Sequence, residues 1–211
     1  RGLVGSEMCI RDRIIVGTGG KQGVCNTVLA LVNPGDEVII PTPYWVSYGD
    51  QVKMAEGVPV FVQAKEDNHF KVTVEQLEAA RTDKTKVLVL NSPSNPTGMI
   101  YSREELLAIG NWAVAHDVLI LADDIYGRLV YNGNEFVPIS SLSEAIRKQT
   151  IVINGVSKAY AMTGWRVGYA VGNPEIIAAM SKLTGQTTSN LTAVSQYATI
   201  EALTGPQDLS L

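Results

Sequence analysis

Asn154-Gly155-Val156-Ser157-Lys158-Ala159-Tyr160-Ala161-Met162-Thr163-Gly164-Trp165-Arg166-Val167-Gly168-Tyr169 follows directly on the apolar run Ile151-Val152-Ile153. That run reads as a buried strand, so Lys158 stands just past a strand end in a loop containing glycine and serine. In open α/β sheets the carboxyl ends of strands are where chemistry collects. Arg166 opens a second apolar run further along. A fixed guanidinium charge near a lysine disfavours the ammonium and pushes the lysine toward its nucleophilic neutral form. A lysine that forms a Schiff base needs that form. Two solvated surface cations fit the same spacing. The connection from Ile153 to Val167 is only about thirteen residues. It has no room for a helical crossover, so the strand after Arg166 is expected to run antiparallel to its neighbours.

Outward from this stretch, apolar runs alternate with helical periodicity. Ile14-Ile15-Val16, Glu37 to Pro41, Val58 to Val62, Val87 to Leu90, Val118 to Ala122 and Val167 to Val171 read as strands. Val118 to Ala122 is apolar at every position, which predicts cover on both faces. Helical spacing runs from Val24 to Val32. Thr73 with Gln76 and Ser102 with Glu105 are capping boxes that open two further helices, the second ending near His116. Asn173 and Pro174 cap another, and the last is expected roughly from Asn190 to Leu203. The alternation predicts an α/β fold: a mostly parallel sheet of about seven strands, one of them antiparallel, with helices on both faces.

Composition narrows the function. The 211 residues are 45% hydrophobic and 18% charged, enough to bury a sizeable core. Seventeen basic against 21 acidic residues, a net charge of −4, leave no electrostatic footprint for nucleic acid. Cys9 and Cys25 form neither a disulfide framework nor a metal pair, so no metal is expected and a reducing compartment is the default. No apolar run approaches the roughly 18 residues of a membrane span, and no secretory signal is visible, so the expected location is cytoplasmic. Residues 1–13 show neither periodicity and resemble a non-native leader, which sets the domain at 14–211. Both ends look cut.

Five strand-end loops carry distinct chemistry. Gly17-Thr18-Gly19-Gly20-Lys21-Gln22-Gly23, between a strand and a helix, makes an anion site of free N–H groups and the helix dipole. Gln22 breaks both the P-loop pattern and G-x-G-x-x-G, so a plain tight turn competes with a phosphate site. Trp45 lies among three aromatics that could stack a flat ring or pack in the core. Asn95 sits in a loop of turn formers. Asp123 ends the central strand, where a carboxylate needs a cation from a ligand, Arg166 or Lys158. Asp124 reads as an exposed loop acid or helix cap. Lys158 with Arg166 is the fifth loop.

In this order, Gly19-Gly20-Lys21-Gln22, Asn95-Pro96-Thr97-Gly98, Asp123-Asp124-Ile125-Tyr126 and Ser157 to Tyr169 resemble the fold-type I pyridoxal-phosphate enzymes, specifically the class I aminotransferases. The segment Pro43-Tyr44-Trp45-Val46-Ser47-Tyr48 is similar to the bacterial aspartate/prephenate aminotransferase subgroup. The resemblance implies pyridoxal 5'-phosphate as cofactor and transamination of an amino acid, of aspartate or glutamate type, to a 2-oxo acid. It implies a Schiff base on Lys158, which would also carry the proton. Asp123 would pair with the ring nitrogen, Tyr126 and Asn95 with the 3′-oxygen, and Trp45 with the ring face. Gly20, Lys21 and Arg166 would hold the phosphate. Lys21, Trp45 and Asn95 would also meet substrate, Lys21 at its distal carboxylate. The chain would be a large domain lacking an amino-terminal arm and a carboxyl-terminal small domain, and the full-length protein a homodimer.

The pattern departs from the family at one place: a hydroxyl often found three residues before the lysine is replaced by Gly155, and Ser157 is of uncertain role. Scaffold does not fix reaction. A lyase or decarboxylase on the same scaffold, or a non-catalytic cofactor-binding regulatory module, are the alternatives. A nucleotide-binding domain would leave Lys158, Asp123 and Asn95 without a task.

Overall fold

A computed structural model describes residues 12–207. Seven strands form one sheet: β1 (Ile14–Thr18), β2 (Glu37–Thr42), β3 (Val58–Gln63), β4 (Thr85–Asn91), β5 (Leu119–Asp123), β6 (Thr150–Gly155) and β7 (Val167–Val171). Their spatial order is β1-β7-β6-β5-β4-β2-β3. Every neighbouring pair is parallel except those of β7, which runs antiparallel to β6 and β1. The short link through Lys158 has the predicted consequence. Because β7 is reversed, the residue before it, Arg166, lies at the same sheet edge as the carboxyl ends of β4, β5 and β6.

The helices are α1 (Gly20–Leu31), α2 (Ser47–Met54), α3 (Val74–Ala80), α4 (Arg103–Ala115), α5 (Glu144–Gln149), α6 (Pro174–Thr187) and α7 (Ala193–Thr204). Right-handed crossovers decide their faces. The chain steps one way along the sheet through α1 and α2, then reverses through α3, α4 and α5. The first two therefore lie on one face and the other three on the opposite face. The core divides accordingly. One cluster joins Val24 and Val28 of α1 and Tyr48 and Val52 of α2 to Val89 and Leu121 of the sheet. The other joins Leu77 of α3, Leu106 and Ile109 of α4 and Ile146 of α5 to Leu88 and Ile120. Adjacent strand residues thus feed opposite cores, as a doubly covered strand requires. Each fully buried leucine or isoleucine contributes about 1.5–3 kcal/mol.

Both predicted capping boxes are present, on Thr73 and Ser102. The last helix begins at Ala193 rather than Asn190, because Thr192 is its N-cap, with non-helical backbone at ψ 125°. The sequence expectation covers neither α2 nor α5. The six residues of α5 are too few for periodicity, although Ser143 caps it by accepting from Ile146 N at 3.2 Å. Of the expected leader at 1–13, only Asp12 and Arg13 are among the described residues. The Arg13 carbonyl accepts from Gly172 N at 3.0 Å.

Under the start of α1, three glycines stand side by side. Gly17, Gly168 and Gly155 are register partners on β1, β7 and β6. A Cβ on Gly168 would overlap Gly20 N and the Gly19 carbonyl carbon, so the helix N-terminus rests directly on the backbone of β7. At Gly155 a Cβ would stand 2.7 Å from Val167 O. A serine has no room there in this backbone.

Candidate active site

The strand-end loops converge on a cleft of about 760 Å³, counting its solvent-open mouth. Gly20, Lys21 and Trp45 line one side. Asn95, Asp123 and Tyr126 form the floor and far wall, and Lys158 and Arg166 close the rest. All eight sequence candidates therefore meet at one place. Tyr48, Asn91, Ile125, Ser157 and Thr163 join them.

Asp123 is the last residue of β5, with the parity of Leu119 and Leu121, so it points to the face that carries α1 and α2. It is 6% exposed. Burial raises its carboxyl pKa; the Tyr48 hydroxyl and the Ile125 amide oppose that by stabilising the anion. Tyr48 Oη donates to Asp123 Oδ2 at 2.7 Å and Ile125 N to Oδ1 at 3.3 Å. The sequence points to a cation from a ligand, Arg166 or Lys158; among the described residues the side-chain partner is instead a phenol from α2. In the sequence Tyr48 is only one of three aromatics. With Val52 it forms an i, i+4 apolar stripe, and only the packing of α2 shows where its hydroxyl ends. Burial, then the adjacent Asp123 charge, pushes the Tyr48 phenol well above its ordinary range, so it remains a donor.

A polar chain continues from Asp123. Asn91, its register partner on β4, donates Nδ2 to Asp123 O at 2.7 Å. Asn91 Oδ1 accepts from Asn95 N at 2.7 Å, and Asn95 Nδ2 donates to Tyr126 Oη at 3.3 Å. Lys158 Nζ stands 5.6 Å from the centroid of the Tyr126 ring. Lys21 Nζ lies 5.0 Å from the Trp45 centroid, and Trp45 meets Tyr48 edge-on at 5.2 Å.

Opposite this chain, Arg166 adopts φ 55°, the left-handed region. Its Nη1 donates to Thr163 O at 2.9 Å. Its Nη2 packs on the Gly19 turn so closely that a Cβ on Gly19 would lie 2.5 Å away. Gly19 itself has φ 82°, so it is glycine on two counts. A guanidinium and the first amides of α1 thus face one spot, an anion cradle built at one end of the strand pair β1–β7, where Thr18 and Val167 are register partners. Gln22, which breaks the dinucleotide fingerprint, has a different task. Its Oε1 accepts from Thr18 N at 2.6 Å and its Nε2 donates to Thr188 Oγ1 at 2.7 Å, bracing the turn.

Asp124 corrects the sequence reading. It is 6% exposed rather than a surface acid, because its N–H donates to Ile153 O at 2.9 Å and so extends the sheet one residue further. Burial and the neighbouring Asp123 charge raise its pKa to about 8. Asp124 therefore holds a proton at neutral pH, while Asp123, also pushed up by burial, has two donors that favour its anion. An acid whose folded pKa is raised above its unfolded value of about 3.9 loses stability as pH climbs between the two. Wild-type stability should fall between pH 4 and pH 8 by roughly a few kcal/mol from this group. Asp124→Asn should flatten that fall in denaturant titrations. An unchanged slope would show that Asp124 titrates normally.

Among the described residues no helix is long and apolar enough to cross a membrane. The sequence profile of the family Aminotransferase class I and II matches residues 9–210. An asparagine--oxo-acid transaminase of Streptococcus mutans is 71% identical over 94% of this chain and 50% of its own length. An aspartate/prephenate aminotransferase of Cereibacter sphaeroides is 51% identical over 93% of this chain and 49% of its own length. The crystal structure of the aspartate aminotransferase from Rhizobium meliloti superposes with a TM-score of 0.91 at 47% identity, covering 93% of this chain and 50% of that one. The chain spans about half the length of the curated relatives it matches. With the glycine turn, the buried aspartate, Lys158 and Arg166 gathered on a seven-stranded mixed sheet, this chain belongs to the class I and II aminotransferase family.

Proposed function

We propose that the chain forms the cofactor-binding large domain of a pyridoxal-phosphate-dependent aminotransferase, with Lys158 as its catalytic residue. The observation that carries this reading is the placing of a buried carboxylate, a lysine and a glycine–arginine anion cradle around one cleft. The donor set fits the cofactor. The first amides of α1 with Arg166 suit a phosphate dianion. Asp123, whose anion the Tyr48 hydroxyl favours, suits a protonated ring nitrogen. Tyr126 and Asn95, already hydrogen-bonded to each other, suit a phenolic oxygen. Trp45 offers a ring face, and Lys158 Nζ a primary amine for the aldehyde.

When bound, the cofactor supplies an electron sink for charge developing at the substrate α-carbon. Lys158 Nζ would take the α-proton and return it one position away. Asp123 would hold the proton of the ring nitrogen, and Trp45 would fix the ring plane. The donor class follows from Lys21, which presents an ammonium at the cleft beside Trp45 and suits the distal carboxylate of aspartate or glutamate. The 71% identity to an asparagine--oxo-acid transaminase favours a second donor, asparagine, whose neutral amide needs no such charge. We infer a homodimer in the cytoplasm for the full-length protein. The stripe Val194, Tyr197, Ile200 and Leu203 on α7 faces outward while Ser195 and Thr199 face inward, leaving apolar surface for a second copy.

The test uses full-length protein. It should bind one pyridoxal phosphate per chain, sediment as a dimer, and convert aspartate with 2-oxoglutarate. Lys21→Ala should raise the aspartate KM about tenfold, the worth of one charge contact, and leave asparagine turnover nearly unchanged. Absence of cofactor binding would defeat the reading; equal effects on both donors would defeat the role of Lys21.

A further inference from the structure

We propose that Tyr160, clamped by Arg128, is a positioning residue that fixes Lys158 from the far side of its loop, an inference that rests on the role of Lys158 given above. Tyr160 follows Lys158 by two residues. With Met162 it packs on a small apolar cluster of Val156, Val167 and Leu191, apart from the two main cores. The Arg128 guanidinium carbon stands 5.2 Å from the Tyr160 ring centroid, within cation–π range. Arg128 Nη1 and Tyr160 Oη each donate to Gln207 Oε1 at 2.9 Å.

Arg128 belongs to the turn that follows β5. There Gly127 N donates to Asp124 O at 2.9 Å and Leu129 N to Tyr126 O at 2.8 Å. The Arg128–Tyr160 contact therefore ties the loop bearing Lys158 to the turn bearing Asp124 and Tyr126. Those are the segments whose separation sets how Lys158 Nζ stands over the Tyr126 ring. Neither Arg128 nor Tyr160 lines the cleft, so both act through Lys158. The Lys158 loop needs such a tie. Its regular support ends at Gly155, Ala161 and Arg166 both take left-handed backbone, and Lys158 itself is exposed. A displacement of about 1 Å in a reacting group costs about a hundredfold in rate.

Two variants and two readouts test this in the full-length protein. In cofactor-free protein, Tyr160→Leu and Arg128→Met should speed amide exchange of residues 157–163 by about fivefold or more. In loaded protein, the same variants should lower kcat for aspartate with 2-oxoglutarate about tenfold or more, with KM within about twofold. Tyr160→Phe and Arg128→Lys, which keep the stack, should restore most of both. Unchanged exchange in Arg128→Met, whose side chain is exposed and whose fold is not at risk, would overturn the clamp. Faster exchange with unchanged kcat would overturn the positioning role. An inactive wild type would defeat the aminotransferase reading instead, and exchange in cofactor-free protein would still decide the clamp.

Discussion

Lys158→Ala should lower aminotransferase turnover of the full-length protein by about a thousandfold or more, the scale of a removed general base that also anchors the reacting group. Cofactor binding should weaken without vanishing. The amides of α1, Arg166 and Asp123 are untouched by the change, and on the proposed reading each would address a different part of the cofactor. Borohydride should fix cofactor mass on the Lys158 peptide of the wild type and on no peptide of the variant. The melting temperature should move by no more than a few degrees, because the lysine is exposed and its loop is held by Val156 and Val167 rather than by its own side chain. Retained turnover, or label on Lys21, would remove Lys158 from its assigned place. A collapse of the fold would mark it as structural.

The second large effect is expected from a residue with no side chain. Gly168→Ala should cost ~3 kcal/mol or more, the upper range of overpacking, because the new methyl meets backbone that cannot rotate away. It would overlap Gly20 N and the Gly19 carbonyl carbon and lie 2.8 Å from Gly20 Cα. Relief requires lifting the start of α1 off β7. That movement also separates the α1 amides from Arg166 and opens the anion cradle. The melting temperature should fall by roughly 6–12 °C for a chain of this size, with phosphate affinity lost in parallel. Gly35→Ala is the control. Gly35 has φ 84° and nothing within 4 Å of its would-be Cβ, so only the milder cost of left-handed backbone, about 1 kcal/mol, applies. Equal losses at the two glycines would refute the close-approach explanation.

Much of this was legible in the chain, for identifiable reasons. Strand runs and capping boxes are local patterns, and they placed five of the seven helices and the strands that lead into Lys158 and Asp123 without tertiary information. The reversal of β7 was also legible, since a link too short for a crossover helix allows no other direction. The eight candidate residues belong to loops whose chemistry is written in residue type. What stayed hidden depends on contacts between distant segments. Tyr48 looks like core until α2 packs and brings its hydroxyl to Asp123 across 75 residues. Asp124 looks like a surface acid until its backbone joins Ile153 and burial removes its solvent. Gly155 looks like a missing hydroxyl until its register with Gly168 leaves no space for one. The sequence by itself determined which groups are present and at which sheet edge they emerge, because period, capping and connection length are short-range properties. Only the tertiary structure decided which of them are charged, which are buried and which touch, because solvation and contact are set by whatever distant segment packs against them.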